Sequence, residues 1–95
     1  MKIEFTQSAF ADLDHLLKYY QEQGRPETGR KLANEIFKKT ERLLKHPDSG
    51  RIVPEFGVSV LREVIFPPFR IVYRRELNKV VVIRVWRSER LLKID

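Results

Sequence analysis

Two stretches of helical periodicity are followed by three stretches dense in β-branched and aromatic residues, and this order most limits the folds open to the chain. From about Ser8, the apolar positions Phe10, Leu13, Leu16, Leu17 and Tyr20 recur at three- and four-residue spacing, while Asp12, Asp14 and Lys18 fall elsewhere on the wheel. Gln23-Gly24 should end this helix, because glycine suits the left-handed C-terminal position, and Pro26 suits the first turn of a second helix. There Leu32, Ala33, Ile36, Phe37, Thr40, Leu43 and Leu44 form one stripe, flanked by charges of both signs, and His46-Pro47-Asp48-Ser49-Gly50 closes it. Joined by so few residues, the helices should form an antiparallel hairpin whose apolar stripes need a sheet to cover.

Leu61 to Phe66, Phe69 to Glu76 and Lys79 to Arg87 supply that sheet, with breaks at Pro67-Pro68 and Leu77-Asn78 short enough for hairpins. Lys2 to Phe5 alternates as a short opening strand. The expectation is one α+β domain over residues 1–95, in the order β-α-α-β-β-β, with the helical hairpin on one face of a mainly antiparallel sheet. In the last strand, Val81, Ile83 and Val85 should face the helices, leaving Val80, Val82, Arg84 and Trp86 on the open face. In the strand before it, Phe69, Ile71 and Tyr73 facing the core would put Arg70, Val72 and Arg74 on that open face. Arg62 would join them if its strand runs in the parity that turns Glu63 inward, giving a surface studded with arginines.

Charge supports an anionic partner. The net charge is +6, of which residues 1–50 carry +1 and residues 51–95 carry +5; eight of the ten basic residues in the second half are arginines. Arginine's planar fork pairs bidentately with phosphate or carboxylate, so nucleic acid and an acidic protein both fit. The absence of cysteine excludes disulfides, thiolate catalysis and cysteine-ligated zinc, and His15 and His46 are expected to be structural. No metal or other cofactor is expected. With no long apolar run and no apolar leader after Met1-Lys2-Ile3-Glu4-Phe5, a cytoplasmic protein with no membrane association is expected.

The four glycines (24, 29, 50, 57) are scattered, so no phosphate-cradling loop or nucleophile elbow is present. What remains is a candidate phosphate-binding set of Arg62, Arg70, Arg84, Arg87 and Arg90, with Trp86 able either to stack on a base or to pack. RNA cleavage through a cyclic phosphate needs a base at the 2′-hydroxyl, cations for the phosphorane charge and an acid for the leaving oxygen. Glu55 could be the base, with Arg62, Arg70 and Arg87 as the cations. No acid is evident, because Tyr73 should point into the core. Otherwise Glu55 is a structural acceptor that pairs a nearby arginine.

Ser8-Ala9-Phe10-Ala11-Asp12-Leu13 resembles the opening helix of the RelE/ParE toxin superfamily, and His46 to Glu55 resembles its "HPxxGRxVPE" connector. Leu61-Arg62-Glu63-Val64-Ile65, Phe69-Arg70-Ile71-Val72-Tyr73-Arg74 and Val82-Ile83-Arg84-Val85-Trp86-Arg87 resemble its "REV", "YRIVYR" and "ILRVWH" strands in the same order. The resemblance covers nearly the whole chain. It implies the toxin of a type II toxin–antitoxin system, neutralised by an acidic antitoxin encoded beside it and reaching operator DNA only through that complex. RelE-like members cleave messenger RNA in the ribosomal A site, whereas ParE-like members poison DNA gyrase. By position, Glu55 matches a carboxylate that serves as a base in some ribosome-dependent nucleases, Arg70 their phosphate-binding arginine and Arg62 a basic residue near the site. The tyrosine those nucleases carry late in the chain is missing, where this sequence reads Arg87-Ser88-Glu89-Arg90-Leu91-Leu92. Both targets stay open, as does a non-toxic member that only binds antitoxin or nucleic acid.

Overall fold

A computed structural model describes residues 1–87. The chain runs through β1 (Lys2–Phe5), α1 (Gln7–Glu22), α2 (Pro26–Glu41), a 3-10 turn (Arg42–Leu44), β2 (Arg51–Ile52), β3 (Leu61–Phe66), β4 (Phe69–Arg75) and β5 (Lys79–Arg87). These build one sheet in the order β1-β5-β4-β3-β2, in which only the β1–β5 pairing is parallel. The α+β architecture with a helical hairpin on a mainly antiparallel sheet is the expected one, and the two-residue β2 adds a fifth strand to it.

Local chemistry sets the element ends. Thr6 caps α1 by accepting the Ala9 N–H at 3.0 Å, and its hydroxyl donates to the Ile83 carbonyl at 2.7 Å, which ties the helix start to β5. Gly24, at φ +72°, turns the chain out of α1 in the left-handed region that glycine enters without a Cβ penalty. Pro26 then opens α2, where a missing N–H costs nothing.

Ala9, Leu13 and Leu16 of α1 and Ile36 of α2 pack with Leu43 against Phe69, Ile71, Tyr73, Val80, Val82 and Val85. Phe10, Phe37 and Leu44, expected within the stripes, lie at their margins and stay exposed.

The expected parity of β5 holds only in part. Ile71 pairs with Val85 and Val72 with Arg84, but Tyr73 pairs with Val82, so Ile83 is an extra residue at a bulge. That insertion reverses the alternation. Val80 and Val82 therefore face the helices, while Arg84 and Trp86 take the opposite face as expected.

The parity of β3 is the opposite of the one that places Arg62 outward. Arg62 lies opposite Tyr73 and Glu63 opposite Val72, so Arg62 shares the helix side and Glu63 the far side. Nor is the far side open. Val53, fully buried, packs with Leu61, Val72 and Trp86 in a second small core, as the connector between β2 and β3 folds across the sheet.

Candidate functional site

The arginines that the sequence marks as an anion-binding set are, in the folded chain, mostly spoken for by its own acceptors. Arg70 stands at the centre of the far face and is buried. Its two terminal nitrogens donate to both oxygens of Glu55 at 2.8 and 2.9 Å, a bidentate pair, and its Nε donates to Glu63 Oε1 at 2.7 Å. The other oxygen of Glu63 accepts from Arg51 Nε at 2.6 Å. The Glu63 side chain is fully buried, so each of its oxygens has exchanged water for one guanidinium.

This chain of four charges has an electrostatic signature. Hydrogen bonds from Arg70 hold the Glu55 carboxyl at about 2, well below its ordinary 4.5. The same bonds to Glu55, with a further contribution from Glu63, push the Arg70 guanidinium further up. Both groups keep their charges at any physiological pH.

Arg62 is held differently. Its Nε donates to the Ser59 carbonyl at 3.0 Å, and its Nη1 donates to the carbonyls of Asp48 and Gly50 at 3.2 and 3.0 Å. It thereby fastens the turn before β2 and the end of the connector to β3. Gly50 fits there because a Cβ would come within 2.7 Å of the Glu63 carbonyl and the Tyr73 ring. The Tyr73 hydroxyl donates to the Pro47 carbonyl at 2.7 Å and accepts the Gly50 N–H at 3.0 Å, and burial pushes its pKa up.

At the other end of the sheet, β1 stops opposite Val82 and, among the described residues, leaves the outer edge of β5 beyond it without a strand. Asp12 from α1 takes over. One of its oxygens accepts the Val85 N–H at 2.8 Å, and both accept from Arg84, at 2.8 and 2.9 Å. This pairing raises the Arg84 pKa, and the guanidinium lies 4.5 Å from the Trp86 ring centre. Trp86 itself is buried between the second core and Arg84.

Beside this cap an open groove of about 720 Å³ separates α1 from the end of β5, lined by His15, Leu16, Tyr19, Tyr20, Trp86 and Arg87. Arg87 reaches it with its guanidinium 5.9 Å from the Phe69 ring centre. Arg90 lies outside the described residues.

The structure thus brings Glu55 to Arg70 and Arg84 to Trp86, places Arg87 at the groove, and separates Arg62 from the rest. Two functional partners escape sequence reasoning. Glu63 is masked by uncertain strand parity, and Asp12 by its reading as a solvated helix residue. One signal for Asp12 is its spacing, three residues after Ala9 and four before Leu16, at the margin of the buried stripe. No group of three His, Cys, Asp or Glu among the described residues could hold a metal ion. Nor is any of their helices long and apolar enough to cross a membrane.

A family model described as the ParE toxin of type II toxin–antitoxin systems, parDE, matches residues 3–92. Among solved structures, a chain from the chromosomal ParDE TA system of P. aeruginosa has the same fold, with a TM-score of 0.78 and 25% identity. That likeness covers 94% of this chain and 97% of that one. No curated protein matches.

Proposed function

This chain belongs to the ParE toxin family of type II toxin–antitoxin systems, and from that premise we propose that it arrests growth by binding DNA gyrase, without cleaving RNA. The observation that carries this reading is the closure of Glu55 and Arg70 on each other. A general base must have an affinity for the proton it removes and be oriented toward it. Glu55 has both oxygens on Arg70 and a pKa near 2, so its affinity for a 2′-hydroxyl proton is small. Arg70, neutralised by two carboxylates, has little left to offer a phosphorane. The Tyr73 proton is committed to the Pro47 carbonyl. What remains is recognition.

Within this reading, Arg51, Glu55, Glu63 and Arg70 hold the connector in place, and Arg62 and Arg84 brace the two ends of the sheet. Target contact falls to the groove, through Arg87 and the exposed edges of Tyr19 and His15. A ParDE system pairs a toxin with an antitoxin; here that partner is an acidic protein encoded beside the toxin, in the cytoplasm, and operator DNA is reached only through their complex. The test is a purified system with two arms, gyrase with relaxed plasmid and translating ribosomes with a labelled message. Loss of supercoiling with the message intact is expected. Message cut at the ribosome with supercoiling untouched overturns the reading, and so does a chain inert in both arms, which would be a non-toxic remnant.

A further inference from the structure

The outer edge of β1 has no strand neighbour among the described residues, and it is flanked by exposed apolar side chains. We propose that a second copy of this chain docks there, as an antiparallel β1–β1 pair about a two-fold axis through Ile3. The inference is independent of the target of the toxin.

Backbone geometry comes first. The amides of Lys2 and Thr6 point into the sheet, donating to Asn78 at 3.2 Å and Val82 at 3.0 Å. Alternation then turns the N–H and C=O of Ile3 and Phe5 to the open edge. Two copies can pair antiparallel only in registers that bring these outward residues opposite each other. If the axis passes through Ile3, the two Ile3 residues exchange a pair of hydrogen bonds, and each Phe5 faces the partner's Met1.

Charge selects among the registers. About Ile3, Lys2 lies directly opposite the partner's Glu4 and Glu4 opposite the partner's Lys2. Shifting the axis to Glu4 puts the two Glu4 carboxylates face to face, which is unfavourable. An interface that complements itself under a two-fold rotation is what a closed dimer needs.

The apolar surroundings fit the same partner. Phe5 stacks on Phe10 at 5.3 Å and meets Phe37 at 5.4 Å between ring centres, yet Phe10 and Phe37 remain exposed. Leu44 and Met1, also exposed, border the groove between this edge and the end of α2. An unpaired strand edge bordered by exposed apolar groups is a surface that suits a partner. Pairing two sheets edge to edge brings two copies of this cluster together over the new strand pair.

Sedimentation velocity of the purified chain over a concentration series tests the proposal, with a thermal melt as the control for folding. A dimer is expected. Glu4→Lys, which sets lysines opposite one another twice, should raise its dissociation constant about tenfold, and the exchange Lys2→Glu with Glu4→Lys should restore it. The exchange leaves Lys79, which pairs with Glu4 and lies in register with Lys2, beside one carboxylate. Leu44→Lys, at an exposed position, should also dissociate the dimer and does not rely on β1. A monomer at every concentration overturns the proposal, as does a dimer indifferent to Glu4→Lys and Leu44→Lys. Slow amide exchange at Ile3 and Phe5 that appears only when antitoxin is added would assign the edge to that partner and overturn it equally.

Discussion

The two faces of the sheet are covered by different physics. On one, Leu13, Leu16 and Ile36 interdigitate with Ile71, Val80 and Val82, a contact that is non-directional and tolerant of small shifts. On the other, the connector is held by Val53 in a small apolar cluster and by Glu55 and Glu63 on Arg70, contacts that work only at the right distance and angle. The difference teaches that an arginine-rich strand is no sign of an open anionic site. Here the carboxylates that match the arginines come from the chain itself.

Breaking the polar face should cost most. Arg70→Ala leaves Glu63 buried with one partner lost and should destabilise the fold by about 3–5 kcal/mol in urea denaturation. Replacing both members, Arg70→Met with Glu63→Leu, should recover most of that loss, because an apolar pair of similar volume needs no charge compensation. If Arg70→Ala is nearly neutral, the far face is not held as described.

Ile36→Ala on the helix face should cost about 3 kcal/mol through the cavity it leaves, and no second substitution on the far face should rescue it. Asp12→Asn keeps one acceptor for the Val85 N–H but loses the charge that faces Arg84. It should cost about 2 kcal/mol and speed amide exchange at Val85.

The smallest effect sharpens the comparison through pH. Glu55 has a depressed folded-state pKa, about 2 against an ordinary 4.5. Its contribution is therefore fully present above pH 4.5 and lost as pH falls toward 2. The stability difference between the wild type and Glu55→Gln should be constant at neutral pH and shrink across that acid window. A difference that stays level down to pH 2 would mean the pair with Arg70 does not form in solution.

Both helices were legible from their apolar periodicity, and the three long strands from runs of β-branched and aromatic residues between short turn signals. Where structure departs from the sequence reading, the cause is non-local. Ile83 looks like any other member of an alternating strand, yet as the bulged residue it reverses the facing of Val80 and Val82. Arg51 and Ile52 are too few to show a period, and only pairing with Glu63 and Arg62 makes them a strand. Counting charge found the arginines and could not find their partners, because Glu55 reaches Arg70 across 15 residues and Asp12 reaches Arg84 across 72. Those pairings exist only once the chain has folded.

Glu55 is where a structural role and a catalytic one make opposite demands, so the decisive experiment is induction of the Glu55→Gln chain in cells without antitoxin, with pulse labelling of DNA and protein synthesis. A folded variant that still stops growth, with DNA synthesis falling first, is the result this account predicts. A folded variant that leaves growth untouched, beside a wild type that stops protein synthesis first, would contradict it and make Glu55 the base of a ribosome-dependent nuclease.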